Sequence, residues 1–152
     1  MIMGDLMILP VNDNIFNKGF CKGHYLVTVD HGPRIRLPVA TVHTFEEQEV
    51  EVIFLFLDPS GPRLILCPDK CCEIYIQHAK KNFPVSVETG KAYRKFICTT
   101  EPIALRKPYR IQVKAKFNEK IGIKAGDVVI IVGVGHWFEV WQKSDWEGGR
   151  DD

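Results

Sequence analysis

The sequence predicts a β-rich α+β fold in which two pseudo-symmetric halves, built of short strands and short helices, form one β-barrel. Three observations predict it. Short apolar runs rich in Val, Ile and Phe are cut by Pro- and Gly-containing turns. The same order of elements occurs twice along the chain. A length of 152 residues suits one domain, while each half offers only about four short strands and too little apolar surface to close a core alone.

The elements follow in order. Strands are predicted over Tyr25–Val29 and Arg34–Leu37, parted by the turn His31–Pro33. The stretch VATVHTFEEQEV after Pro38 is β-branched and reads as a poor helix former. Strands Val50–Leu57 and Leu64–Cys67 flank the turn Asp58–Pro62. Asp69–Lys81 is predicted helical, with Cys72, Tyr75, Ile76 and Ala79 at three- and four-residue spacing. A second helix is predicted over Thr89–Phe96, then strands over Ile103–Leu105, Arg110–Val113, Asp127–Val132 and Phe138–Trp141. Lys116–Ile121 reads as a helix ending near Gly122, and Ser144–Glu147 as a last helical turn.

Setting Arg34 against Arg110 pairs Ile35 with Ile111, Leu37 with Val113, and Val27 and Val29 with Ile103 and Leu105. After a two-residue slip, LILCPDKCCE (Leu64–Glu73) falls on FEVWQKSDWE (Phe138–Glu147). Two copies are too few for a solenoid. The division that follows is an N-terminal arm over 1–15, a first half over 16–82, a second half over 83–147 and a polar tail over 148–152.

Composition excludes several classes. With 45% apolar and 26% charged residues the chain is neither disordered nor coiled coil. Its longest apolar runs, Val52–Leu57 and Val128–Val134, are far shorter than the ~20 residues of a membrane helix. The start carries Asp5 and no basic cluster, so it does not read as a signal peptide. Five cysteines then read as reduced thiols in a cytoplasmic protein.

A net charge of +1 hides segregation. Residues 80–124 hold twelve Lys/Arg against three acids, net +9, which leaves −8 on the rest. Such a block suits phosphate, or it pairs with the acidic Glu46–Glu51 stretch or the tail.

Cys67, Cys71, Cys72 and His78 stand at C-x3-C-C-x5-H, outside zinc-ligand spacing, so no metal is expected. No base is placed beside a cysteine nucleophile, and Gly133-Val134-Gly135 reads as a hairpin turn and not a phosphate loop. No cofactor, small-molecule substrate or catalytic group is predicted. Cys67 reads as a strand residue and Cys72 as core, while Trp137, Phe138 and Trp141 read as core or subunit contact.

Asp30 and Arg34 flank the His31–Pro33 turn. The carboxylate can hold the turn by accepting from its amides or from the guanidinium. Alternatively, Arg34 and Arg36 project to phosphate or a base edge, which arginine's planar fork fits. Lys22, His24 and His31 are candidates to extend that edge, and Arg106, Lys107, Arg110, Lys114 and Lys116 form a denser cluster.

These motifs resemble one family. VTVDHGPRIRLP (Val27–Pro38) is similar to the strand–turn–strand of the MraZ proteins, with their D-x-x-x-R hallmark at Asp30 and Arg34. VVIIVGVGHWFEVWQKSDWE (Val128–Glu147) resembles the family's apolar strand, glycine turn, F-E-[IL]-W strand and closing W-E. The likeness covers about residues 16–147. It implies an AbrB-like double-split, swapped-hairpin barrel and ring-shaped homo-oligomers. It also implies a non-enzymatic, sequence-specific DNA-binding transcriptional regulator, cytoplasmic and nucleoid-associated, acting on repeated promoter elements. Carried onto this chain, the DNA-contacting positions are Asp30, Arg34 and Arg36, with Arg106, Lys107 and Arg110 in the second half. Four residues depart from the pattern: Arg106 replaces the motif acid, Pro108-Tyr109 replace the glycine-containing turn, and Lys114 replaces the proline. The alternative is a divergent structural oligomer that keeps the barrel and has lost specific DNA binding.

Overall fold

The computed structural model describes residues 20–59, 61–80, 91, 94 and 96–149. The arm over 1–15 lies outside the described residues, as do most of the Thr89–Phe96 helix and most of the polar tail. The elements are β1 (His24–Thr28), β2 (Arg34–Arg36), α1 (Val39–Glu47), β3 (Val52–Leu57) and β4 (Leu64–Pro68). A 3-10 turn over Asp69–Cys71 leads into α2 (Cys72–Lys80). After it come β5 (Glu101–Ala104), β6 (Arg110–Gln112), α3 (Ala115–Ile121), β7 (Val128–Gly133), β8 (Phe138–Gln142) and α4 (Lys143–Gly149).

Six strands form one antiparallel sheet in the order β1-β7-β8-β4-β3-β5, and β2 and β6 form a separate two-stranded ribbon. The β-rich class with short helices is thus as the sequence predicts. Backbone pairing repeats the internal likeness. β1 pairs β7 with Val27 opposite Val129, and β5 pairs β3 with Ile103 opposite Ile53, the equivalent pairing in the other copy. At the centre β4 pairs β8, with Leu64 opposite Val140 and Leu66 opposite Phe138. Exchanging the two copies leaves that pairing unchanged. The two-residue slip has a structural cause: the connection between β3 and β4 runs over 58–63, whereas β7 and β8 are joined over 134–137.

Side chains alternate across the sheet, as the two-residue period of a strand requires. Ile53, Leu55, Leu64, Leu66, Phe138 and Val140 enter one apolar core, which also takes Ile35, Ile111 and Phe117. The opposite face sends Phe56, Ile65 and Cys67 into a second cluster with Tyr75, Phe96 and Trp137. There the rings of Phe56 and Tyr75 stack at 4.9 Å, and Trp137 meets Tyr75 edge-on at the same distance. Gly133 is required where the β7–β8 turn passes the chain, since a Cβ there would run into the backbone of Cys21 and Lys22.

Three readings are corrected. The β-branched stretch after Pro38 is the helix α1, because Thr41, Val42 and Phe45 share a face buried in the core, and packing outweighs the small propensity deficit of Val and Thr. Cys72 is half-buried and not core: it opens α2 at the margin of the second cluster. Lys22 and His24 do not extend the edge at Arg34, because β1 carries them to the end where Cys21 bridges Gly135. All five cysteines are free. Burial pushes the Cys21 thiol up to about 12, while a hydrogen bond between Cys67 and Cys72 raises the first and lowers the second.

Candidate nucleic-acid interface

The ribbon is built by alternation. In β2 the residues Arg34, Ile35 and Arg36 run exposed, buried, exposed, and Arg110, Ile111 and Gln112 do the same in β6. Ile35 and Ile111 lie opposite one another and anchor the ribbon in the core, with Leu37 and Val113 continuing the inward row. Two further backbone bonds fasten its ends: Leu37 N–H donates to the Tyr109 carbonyl at 2.9 Å, and Val113 N–H to that of Pro33 at 3.0 Å. These bonds are again equivalent in the two copies.

The outward face therefore carries four side chains in two opposed pairs, Arg34 with Gln112 and Arg36 with Arg110. Opposed residues on one face of an antiparallel pair have Cβ atoms about 4.5–5.5 Å apart, and like charges so placed repel. Arg36 and Arg110 are such a pair. Among the described residues none of Arg34, Arg36, Arg106, Lys107 or Arg110 belongs to an ion pair. An anion laid on this face relieves the repulsion.

A turn precedes each strand. Asp30 and Arg34 are joined through their backbones: Asp30 N–H donates to the Arg34 carbonyl at 2.8 Å, and Arg34 N–H to that of Asp30 at 3.1 Å. Between them Gly32 has φ +94°, a conformation glycine adopts freely. The Asp30 side chain is exposed and makes no ion pair with Arg34. The second turn closes by Tyr109 N–H donating to the Arg106 carbonyl at 2.8 Å. With Pro108 in place of glycine, the positive φ moves to Tyr109, at +58°. Arg106 and Lys107 are exposed on it. Because the strands are antiparallel, the turns stand at opposite ends of one ribbon, and the acid-free turn lies beside the Arg36–Arg110 pair.

Lys114 and Lys116 do not join this face. Both ammoniums clasp the Glu101 carboxylate, at 2.5 and 2.8 Å, so the basic block partly neutralises itself. The pair holds Glu101 well below the usual carboxylate range, at about 2. A carboxyl depressed on folding adds stability above its unfolded pKa and loses it as pH falls through the folded value. Glu101→Gln should therefore cost at most about 1 kcal/mol at pH 6, as exposed pairs do. The gap to the wild type should close between pH 4.5 and about 2, read by urea unfolding across that range.

The structure brings Arg34, Arg36 and Arg110 onto one surface, with Asp30, Arg106 and Lys107 on its end turns. It adds Gln112, which the sequence reading passed over. The signal was present in the period-two pattern of Arg110-Ile111-Gln112-Val113, which sets Gln112 beside Arg110 on the outer row. No cluster of metal-ligating side chains occurs among the described residues, and no described helix is long and apolar enough to cross a membrane.

Fold and site together define a β-rich protein with short helices that presents a cationic two-stranded ribbon. No family model matches the chain. It is similar to the transcriptional regulator MraZ of Coxiella burnetii in the Dugway, Henzerling II and Nine Mile phase I strains. Each is 26% identical over 132 residues, covering 86% of this chain and 85% of the relative. The resemblance to the MraZ proteins carried by the sequence motifs is thus matched by curated relatives over most of both chains.

Proposed function

We propose that the protein is a sequence-specific DNA-binding transcriptional regulator that lays the β2–β6 ribbon on DNA. The observation that carries this reading is the opposed Arg36–Arg110 pair, with Arg34 on the same exposed row and no carboxylate paired with any of them among the described residues. A two-stranded ribbon fits the major groove of B-DNA, about 12 Å wide, where guanidinium forks meet guanine edges and phosphates. The name of the curated relatives supports the same role. In this reading the halves over 16–82 and 83–147 close an AbrB-like swapped-hairpin barrel, and the barrels assemble as a ring in a nucleoid-associated cytoplasmic protein without enzymatic activity. The departures in the second motif do not favour a structural oligomer, because both motifs feed one continuous basic face.

One ribbon offers few cations, so a single subunit should bind duplex DNA in the non-specific range of roughly 10⁻⁴–10⁻⁶ M at physiological salt. A ring on matched repeats should gain about 10²–10⁴ in avidity. An electrophoretic shift with the chain's own upstream region, against an unrelated duplex of equal length, tests the reading. Arg34→Ala is expected to weaken the specific shift strongly and to flatten the salt dependence, with sedimentation unchanged. Equal binding and equal salt slopes for Arg34→Ala and wild type would overturn the assignment, and a single-chain species in sedimentation would overturn the ring.

A further inference from the structure

The two copies of the ribbon motif are not equivalent in chemistry, and the difference falls on one residue. Under the internal repeat Arg34 corresponds to Arg110, so that pair is preserved, but Arg36 corresponds to Gln112. One end of the outer row is therefore Arg36 with Arg110, and the other is Arg34 with Gln112. Gln112 is also held: its Nε2 donates to the Gly32 carbonyl at 3.0 Å. A primary amide has two N–H groups and one acceptor oxygen. The bond to Gly32 uses one N–H and leaves the other, with Oε1, for a ligand on the exposed face. That remaining donor–acceptor couple matches the N7 acceptor and N6 amino donor of adenine in the major groove, whereas an arginine fork matches the two acceptors of guanine.

We infer that Gln112 makes each ribbon read DNA asymmetrically, selecting an adenine at one end of its footprint where the equivalent Arg36 favours guanine. The inference rests on the ribbon being the DNA-binding face. It makes each recognised element non-palindromic, although the backbone presenting it is nearly two-fold symmetric. A merely structural Gln112, fastening the turn through Gly32, would alter affinity for all sequences alike. A reading residue alters preference at one base pair.

Selection of binders from a randomised duplex pool separates the cases, using the full-length protein, Gln112→Ala and Gln112→Arg, with circular dichroism to confirm folding. The wild type is expected to enrich a non-palindromic element with one adenine position that discriminates roughly 5- to 150-fold, the usual range for a bidentate base contact. Gln112→Ala should lose that discrimination at that position only. Gln112→Arg should move it to guanine and make the element palindromic. A palindromic wild-type element, or an adenine preference that survives Gln112→Ala, overturns the inference while leaving DNA binding intact. A pool with no enrichment by wild type overturns both the inference and the sequence-specific reading beneath it.

Discussion

Replacing Arg36 and Arg110 together by threonine is expected to cut duplex affinity by roughly 30- to 10⁴-fold per ribbon and to leave the protein as stable as before or slightly more so. The first half of this result follows from two contacts, each worth about 1–3 kcal/mol at a base or phosphate. Losing two cations should also lower the slope of log affinity against log salt by about two. The second half follows from the register: Arg36 and Arg110 stand directly opposite each other, and neither forms an ion pair among the described residues. Opposed like charges cost about 0.2–1 kcal/mol, and threonine is a good strand former whose cross-strand pairs are favourable. A gain of ~1 kcal/mol would raise Tm by about 2–4 °C in a chain of this size. Fluorescence anisotropy across a salt series and urea unfolding of the same samples give both readings. If affinity and stability fell together, the two arginines would be holding the ribbon and not a ligand.

Opposite signs for binding and stability mark a site kept for function at some cost to the fold. That cost was only half legible in the sequence. The alternation in Arg34-Ile35-Arg36-Leu37 and Arg110-Ile111-Gln112-Val113 announces two strands with arginines on one face. Nothing local announces that these strands pair with each other, because they come from equivalent places in two copies far apart along the chain. The pairing depends on how the copies dock, and with it depends the confrontation of Arg36 with Arg110. The same blindness hid the clasp of Glu101 by Lys114 and Lys116, which removes two lysines from a cluster that the sequence counted as basic.

The internal likeness was more informative than any single propensity. It places the β3–β4 and β7–β8 hairpins in register despite the two-residue difference in their loops. Propensity failed at α1, where Val39, Val42, Thr41 and Thr44 argue against a helix. There α3 would have been the better guide. By the repeat, Thr41 and Phe45 stand where α3 buries Phe117 and Ile121, four residues apart on one face. The stretch after Pro38 is helical because Thr41, Val42 and Phe45 share one buried face, where Phe45 has a ring to meet in the core.

That ring belongs to Phe138, and removing it should give the largest loss of stability. Phe138 is fully buried where β8 begins, opposite Leu66 across the central β4–β8 pairing and opposite Gly133 across the hairpin. Its ring stands edge-on to Phe45 of α1, with centroids 5.6 Å apart and planes at 79°. Phe138→Ala thus removes an edge-to-face pair and opens a cavity at the seam between the two copies, for which about 3–5 kcal/mol is the usual cost. In a chain of this size that lowers Tm by roughly 6–20 °C, and it consumes much of a typical stability of about 5–15 kcal/mol. Phe138→Leu keeps most of the volume and should cost under about 1.5 kcal/mol. Both variants should bind DNA like wild type below their transitions, since Phe138 lies in the core and off the ribbon face. Because the β4–β8 pairing ties the copies into one sheet, urea unfolding of Phe138→Ala should remain a single transition moved as a whole. A two-step curve, with only one step displaced, would mean that the copies fold separately and that the seam does not couple them.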